Sequence, residues 1–367
     1  TRTLRGPGRL NLVPDRTRTD SESLGPIAEN SIDPTIDNLA PPAEPSTRWY
    51  YRNKMEFSFD NDPTTGEGAE RAVVLGLHPT AYPRDVVNLS ECYLQSEEST
   101  AIVSAVRDWA NHMGLTAYNS RFPTGLLRGL MIREGTIGGK PQRMVELLTS
   151  HVDDAVCKVP GGKETLQPVS EVIEAFNTLV TEKLVELYNV VSLLWTVQRA
   201  IRGEPTTFNS TVLFGADHYQ DTILLGDDRS LIFDIHPRSF FQPNTNQAGQ
   251  LYSKIVSLVT PRFDSAIGRP HRGRALDLYC GTGTISMVLA PYFESVVGAE
   301  LVIEAVRNAQ SNAKKNDINN VSFECGDVGA LLKAALASFK DQTDLVVLDP
   351  PRSGLMGSAI DHLALLN

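Results

Sequence analysis

The sequence predicts an α/β protein in two parts: a doubly wound parallel sheet over residues 241–367, preceded by an α+β unit over 48–240. Three observations carry this reading. After Asn244 short apolar strands alternate strictly with helices, the pattern of a parallel sheet covered on both faces. A glycine-rich turn, Cys280-Gly281-Thr282-Gly283, falls between the first predicted strand of that series and its helix. Before Pro237 helices mix with strands of alternating polarity instead, and 367 residues are more than one hydrophobic core usually organises.

Residues 1–47 contain Gly6-Pro7-Gly8, Leu24-Gly25-Pro26 and Ala40-Pro41-Pro42-Ala43-Glu44-Pro45 with no sustained apolar period, and read as an extended or disordered arm. Arg2, Arg5, Arg9, Arg16 and Arg18 precede most of its acids, as beside an organelle-targeting cut. An intracellular, organellar location (plastid or mitochondrion) is the expectation, with the cytoplasm as the alternative. In the α+β unit, Ile102, Val103, Val106, Trp109 and Ala110 share one face of a helix predicted over Ser96 to Met113. Leu126 to Arg133 and Arg143 to Leu148 read as a strand pair joined across Gly135 and Gly138-Gly139. A second helix is expected over Leu166 to Leu187. Strands follow at Val190 to Val197, Thr211 to Phe214, Thr222 to Leu225 and Leu231 to Ile235.

In the C-terminal part the predicted strands are Ala275 to Tyr279, Ser295 to Ala299, Val321 to Glu324 and Leu345 to Leu348. Helices fall near Ile285 to Ala290, Val302 to Lys315, Ala330 to Phe339 and Gly357 to Leu366. Val302, Ala305, Val306, Ala309 and Ala313 repeat at helical spacing, which supports the second of these.

Composition excludes several classes. The chain is 41% hydrophobic and 21% charged, ordinary for a globular protein, and no apolar run is long enough to cross a bilayer. Cys92, Cys157, Cys280 and Cys325 are scattered without a Cys-x-x-Cys pair or a histidine at ligand spacing, so no metal site is expected and buried free thiols are preferred. The formal charge of −10 argues at first against a polyanionic partner, but local charge matters more. Arg121, Arg128, Arg133, Lys140 and Arg143 stand against Glu134 alone, and Arg262, Arg269, Arg272 and Arg274 against Asp264 alone. Each cluster reads either as a track for a phosphate backbone or as a solvated basic face.

Four strand ends carry the candidate chemistry. Asp277-Leu278-Tyr279-Cys280-Gly281-Thr282-Gly283-Thr284 lets a ligand approach the main chain, but Ser286 breaks the third glycine of a dinucleotide fingerprint. About twenty residues on, Gly298-Ala299-Glu300 ends a strand with a carboxylate suited to both hydroxyls of a ribose. Cys325-Gly326-Asp327 brings a second acid to the same sheet edge, and an adenosine pocket is the better reading than surface acids. Asp349-Pro350-Pro351-Arg352-Ser353-Gly354 holds Asp349 ahead of two rigid prolines. Arg352 stands where enzymes that methylate exocyclic amines place a stacking aromatic, which argues against adenine or cytosine amino groups as the target.

Together with Tyr51-Arg52-Asn53-Lys54-Met55-Glu56-Phe57 and Ser239-Phe240-Phe241-Gln242-Pro243-Asn244, the first and last of these motifs make the chain resemble the tRNA/rRNA (uracil-5-)-methyltransferase family. The resemblance spans Tyr51 to Leu355 and implies a Rossmann-like methyltransferase domain dependent on S-adenosyl-L-methionine, with RNA as partner and a chain otherwise monomeric. It implies that Gln242, Tyr279, Thr284 and Glu300 contact the cofactor, beside Asp327 from the residue reading. Asp349 would lie between cofactor and uracil, and Phe240 would stack on a base turned out of its RNA. Arg52 and Lys54 would lie near phosphate, and Arg128 and Arg133 are the expected basic residues of the RNA-facing unit.

The family's chemistry follows from uracil C5 being a poor nucleophile. A cysteine thiolate adds at C6, C5 then takes a methyl group, and a general base removes the C5 proton before the cysteine leaves. In the family the nucleophilic cysteine follows the Asp-Pro-Pro-Arg element within Ser-Cys-Asn-Pro, with the basic Glu further on. Both are expected beyond Asn367. No Cys-Gly-Gly-Cys run precedes Tyr51, so the iron-sulfur cluster of some members is not expected, nor is a counterpart of their small N-terminal RNA-binding barrel. Two other readings stand beside this one: a catalytically inactive relative serving a ribonucleoprotein as an RNA-binding structural or assembly component, and a different enzyme on the same fold.

Overall fold

In chain order the elements are β1 (Lys54–Asn61), β2 (Val73–Leu77), β3 (Val87–Asn88), α1 (Glu97–His112), β4 (Leu127–Ile137), β5 (Lys140–Ser150), β6 (Asp154–Val159), β7 (Lys163–Pro168), α2 (Val169–Leu179) and α3 (Val185–Tyr188). They continue as β8 (Val190–Arg199), β9 (Thr207–Gly215), β10 (Tyr219–Leu224), β11 (Ser230–Ile235), α4 (Thr245–Val259), β12 (His271–Leu278), α5 (Thr284–Leu289), β13 (Phe293–Glu300), α6 (Ile303–Lys315), β14 (Val321–Cys325), α7 (Val328–Phe339), β15 (Thr343–Leu348) and α8 (Gly357–Leu363). This computed structural model describes residues 49–61, 72–82, 85–119, 124–152, 154–159, 163–200, 203–259, 271–339, 343–352, 354–355 and 357–363. The expected arm and the basic residues Arg121, Arg262 and Arg269 lie outside the described residues. Those described fall within one compact unit, Ser46–Asn367.

The first part is a seven-stranded sheet in the order β3-β2-β1-β4-β5-β8-β9. Its neighbours are antiparallel except β5 and β8, which run parallel. A parallel pair needs a long crossover, and here it carries the β6–β7 hairpin and the α2–α3 helix. Alternate residues such as Phe57, Leu75, Leu130, Val145, Leu193 and Trp195 share a core with Ile102, Val106 and Trp109 of α1 and Phe176 of α2. Helix α1 forms where its apolar face predicts, capped by the Ser96 side chain, which accepts from the Ser99 N–H at 3.2 Å. The second helix departs from expectation. Leu166 lies in β7, because Pro168 cannot occupy a helix interior and instead fixes the helix entry before Val169. From Val169 the helix continues through a π-turn at Val180–Leu184 to Tyr188.

The second part is a fully parallel four-stranded sheet in the order β14-β13-β12-β15. Leu276 and Leu278 of β12 pack with Val328 and Leu332 of α7 on one face, while Ala275 packs with Leu289 of α5 and Val259 of α4 on the other. The sheet is thus wound on both sides, as the strand-helix alternation predicts. Helix α4 is not among the predicted elements, although Asn244 caps it by accepting from the Gln247 N–H at 3.0 Å. The β10–β11 hairpin sits between the two sheets in one continuous core. That core holds Met131 and Met144 of the large sheet, Tyr219 and Phe233 of the hairpin, and Val306 and Ala309 of α6. Among the described residues no helix is long and apolar enough to cross a membrane.

Candidate cofactor and RNA site

Strand order decides where a ligand fits. β13 and β14 lie on one side of β12 and β15 on the other, so the chain reverses its direction of travel between β12 and β15. In open α/β sheets ligands bind outside the carboxyl ends of the strands at such a point. Four of the candidate residues occupy those ends in spatial order: Asp327 after β14, Glu300 closing β13, Tyr279 after β12 and Asp349 after β15. The Asp349 N–H donates to the Leu278 carbonyl at 3.4 Å across the switch.

The turn after β12 is held tightly. Tyr279 adopts a left-handed backbone with φ 67°, and its N–H and that of Cys280 both donate to the Ala299 carbonyl at 2.9 and 3.1 Å. Gly283, at φ 79°, tolerates no side chain, because a Cβ there would come within 2.6 Å of the Phe323 ring. A Cβ on Gly281 would meet nothing within 4 Å, so the main chain faces open space against which a ligand can lie. Glu300 is oriented by two backbone donors, Gly281 N–H to Oε2 at 3.1 Å and Val302 N–H to Oε1 at 2.9 Å. Each oxygen keeps a further lone pair for a hydroxyl. Thr284 is buried at the start of α5. Asp327 is exposed, and its Oδ1 accepts from the Ala330 N–H at 2.9 Å, which caps α7.

Asp277 lies beneath this turn, fully buried. Burial pushes its carboxyl up to about 7, against the Ser286 hydroxyl that donates to Oδ2 at 2.6 Å, and the nearby charges of Asp349 and Glu300 add to the rise. Its Oδ1 has no hydrogen-bond partner among the described residues.

The Ser239–Gln242 turn is anchored from three elements. Arg133 on β4 donates from Nη2 to the carbonyls of Pro237 and Ser239 at 3.0 and 2.6 Å. Asn308 on α6 donates to the Ser239 hydroxyl at 2.7 Å. Asn53 donates from Nδ2 to the Gln242 carbonyl at 2.7 Å and to the Thr245 hydroxyl at 2.8 Å, and from its backbone N–H to the Pro243 carbonyl at 2.8 Å. Phe241 is buried beside Phe233 with ring centroids 5.5 Å apart, whereas Phe240 is 68% exposed. Arg52, Lys54, His78, Phe240 and Pro243 line a cavity of about 500 Å³. Four of the residues predicted to face RNA, Arg52, Lys54, Arg133 and Phe240, therefore line one concavity, although Lys54 enters it paired with Glu56 at 2.6 Å.

Two expectations are corrected. Arg133, expected at the RNA surface, is 1% exposed: its Nη2 is committed to two main-chain carbonyls, while Nε and Nη1 are buried without a hydrogen-bond partner among the described residues, and it lines the cavity from within. The cysteines are not all buried, since Cys325 is exposed while Cys92, Cys157 and Cys280 are enclosed. Arg128 does not line the cavity and lies flat on the Tyr118 ring, 3.6 Å from its centroid. Asn53, Asn308, Thr245 and Asp221 position the site and were given no role by sequence reasoning, although Asn53 lies inside one of the motifs. Asp221 Oδ2 accepts from the Thr245 hydroxyl at 2.6 Å, and burial pushes its carboxyl up to about 6 against that bond and two backbone donors.

A doubly wound sheet with a glycine turn and acids at its switch point is the architecture of a methyltransferase domain, and residues 271–364 match that domain family. An uncharacterized RNA methyltransferase of Protochlamydia amoebophila is 34% identical over 323 residues, 87% of this chain and 67% of that protein. One from Chlamydia muridarum is 32% identical over 85% of this chain and 70% of its own length. The chain belongs to the RNA methyltransferase family. The fold matches that of a Pyrococcus abyssi tRNA (uracil-54, C5)-methyltransferase solved with S-adenosyl-L-homocysteine, with a TM-score of 0.60 and 20% identity over 87% of this chain and 64% of that one.

Proposed function

We propose that this chain binds S-adenosyl-L-methionine and RNA for methylation of a uridine at C5. The observation that supports it best is the convergence of Tyr279, the open main chain at Gly281, Glu300 and Asp349 on the switch point between β12 and β15. Glu300, fixed by two backbone donors, accepts the ribose hydroxyls, and Tyr279, Thr284 and Gln242 flank the rest of the cofactor. Asp327, further along the same edge, meets the adenosine end. When bound, the cofactor supplies an electrophilic methyl group on a sulfonium.

Asp349, exposed beside the Leu278 carbonyl, hydrogen-bonds the edge of the uracil. Phe240, held outward by its buried neighbour Phe241, stacks on the base, and stacking on an aromatic is how a base taken out of its RNA is held. Arg52 and Lys54 in the adjoining cavity meet the phosphates. Cys280 is not a nucleophile here: burial pushes its thiol far up, the charges of Asp277 and Glu300 add to this, and only a thiolate attacks C6. The nucleophile and base belong to the segment that follows Leu355 in the resembling family.

Calorimetric titration with S-adenosyl-L-methionine tests the reading. Binding should weaken about tenfold or more in Glu300→Ala, since a carboxylate–hydroxyl bond is worth roughly 1.5–3 kcal/mol. Absence of binding at millimolar ligand, or equal binding by the variant, would remove the pocket.

A further inference from the structure

At the open end of the β10–β11 hairpin, whose ladder begins with the Tyr219–Ile235 pair, Asp217, His218 and His236 converge. One ligand atom from each lies within 4.8 Å of the other two. His218 faces a carboxylate oxygen with each ring nitrogen: Nδ1 is 2.8 Å from Asp217 Oδ1, and Nε2 is 3.4 Å from Asp234 Oδ1. In the neutral imidazole, which has one N–H and one lone pair, one of these contacts sets a lone pair against an anion. His236 Nδ1 approaches the other Asp217 oxygen at 3.7 Å.

The two carboxylates differ. Asp234 Oδ1 is already paired with Lys315 Nζ at 2.7 Å and accepts from Gln220 Nε2 at 2.8 Å. The ion-pair partners of Asp217 among the described residues are the two imidazoles. A cation seated between Asp217, His218 Nδ1 and His236 Nδ1 turns the unfavourable contact into ligation. It leaves His218 Nε2–H to donate to Asp234, the arrangement in which an outer carboxylate orients a ligating histidine.

We propose that Asp217, His218 and His236 bind a divalent transition ion of the zinc class, with Asp234 as the orienting outer carboxylate. Two imidazoles and one carboxylate are a donor set zinc accepts, with a fourth position left to water. Tetrahedral bonds of about 2.0–2.2 Å place donors roughly 3.3–3.6 Å apart, inside the 4.8 Å span of the three ligand atoms, so the set closes by adjustment of the exposed Asp217 side chain and of the half-buried imidazoles. The ligands are an adjacent pair and a residue on the opposite strand, which only the hairpin brings together. The site lies where the chain enters the Pro237–Gln242 turn, and the Ser239 N–H donates to the His236 carbonyl at 3.1 Å. A bound ion therefore tethers the end of the turn that presents Phe240.

Metal-stripped chain titrated calorimetrically with Zn²⁺ should bind one equivalent. Affinity should fall by about tenfold or more in His236→Ala and in Asp217→Asn, and remain unchanged in Cys325→Ser. Substitution with Co²⁺ should give a visible spectrum without thiolate charge transfer, a readout that does not depend on any variant folding. No binding, binding indifferent to both ligand variants, loss in Cys325→Ser, or a thiolate band would each overturn the assignment. The titration uses neither RNA nor the methyl donor, so its outcome is separate from that of the proposed function.

Discussion

The side chain of Asn312 bonds the backbone of Asp234 at both its polar groups: Oδ1 accepts the Asp234 N–H at 2.8 Å, and Nδ2 donates to the Asp234 carbonyl at 3.3 Å. One helical turn on, Asn316 does the same for Ile232 at 2.8 and 2.7 Å. Four helical residues rise about 6 Å and two strand residues about 6.6 Å, so positions i and i+4 of α6 match i and i+2 of β11. The helix supplies the strand partner that β11 lacks on that side, and a sheet edge is closed by side chains.

Asn312→Ala should therefore destabilise the protein by about 1–3 kcal/mol, because it leaves a buried N–H and carbonyl without partners. Urea unfolding measures this as a lower midpoint at constant slope. Asn312→Asp keeps the acceptor but loses the donor, and should recover little. A change below about 0.5 kcal/mol would mean that water takes over the edge.

Asn53→Ala should loosen the Gln242 turn without touching any ligand directly. It removes the bonds to the Gln242 carbonyl and the Thr245 hydroxyl, at a cost of about 1–3 kcal/mol in stability. Affinity for S-adenosyl-L-homocysteine should fall several-fold. A stability loss with unchanged ligand affinity would show that the turn does not contribute to the pocket.

Much of this was legible in the sequence. The four parallel strands and the face of α1 follow from apolar period alone, and Glu300, Asp327 and Asp349 come to one edge because each ends a strand of the same sheet. The anchors were not legible. Asn312 and Asp234 stand 78 residues apart, and nothing local marks an asparagine on a helix as a strand partner. Arg133 illustrates the opposite failure, since basic residues clustered in sequence look like a surface until a strand covered on both faces, buried continuously from Leu130 to Arg133, encloses one.

Asp277 should make stability fall as pH rises. Its folded carboxyl, raised to about 7 by burial, binds a proton that the unfolded chain, with an ordinary value of about 3.9, has lost. Between about pH 4 and 7 the folded state holds more protons, so this group's contribution declines across that window and levels off above it. In Asp277→Asn the difference in melting temperature between pH 5 and pH 8 should shrink. An unchanged pH slope would remove Asp277 as its source.

The cysteines should sort by access. Cys325, the exposed thiol at the end of β14, should react first with an alkylating reagent, while Cys280, enclosed within the turn after β12, should react only on unfolding. None should form a covalent adduct with RNA containing 5-fluorouracil, as read by mass spectrometry of the 367-residue chain. An adduct mapped to any of the four would make that residue the nucleophile.

The backbone of Tyr279 sits at φ 67°, a region a bulky side chain enters only under constraint, at a cost of about 1–3 kcal/mol. Asparagine tolerates that conformation far better, so Tyr279→Asn would relax the turn while discarding the ring proposed to flank the cofactor. A screen that selects heat-resistant variants and one that selects tight binding of S-adenosyl-L-homocysteine would then part at this position. The first would enrich asparagine and the second would return tyrosine, which makes residue 279 a point where laboratory evolution reports which property was selected.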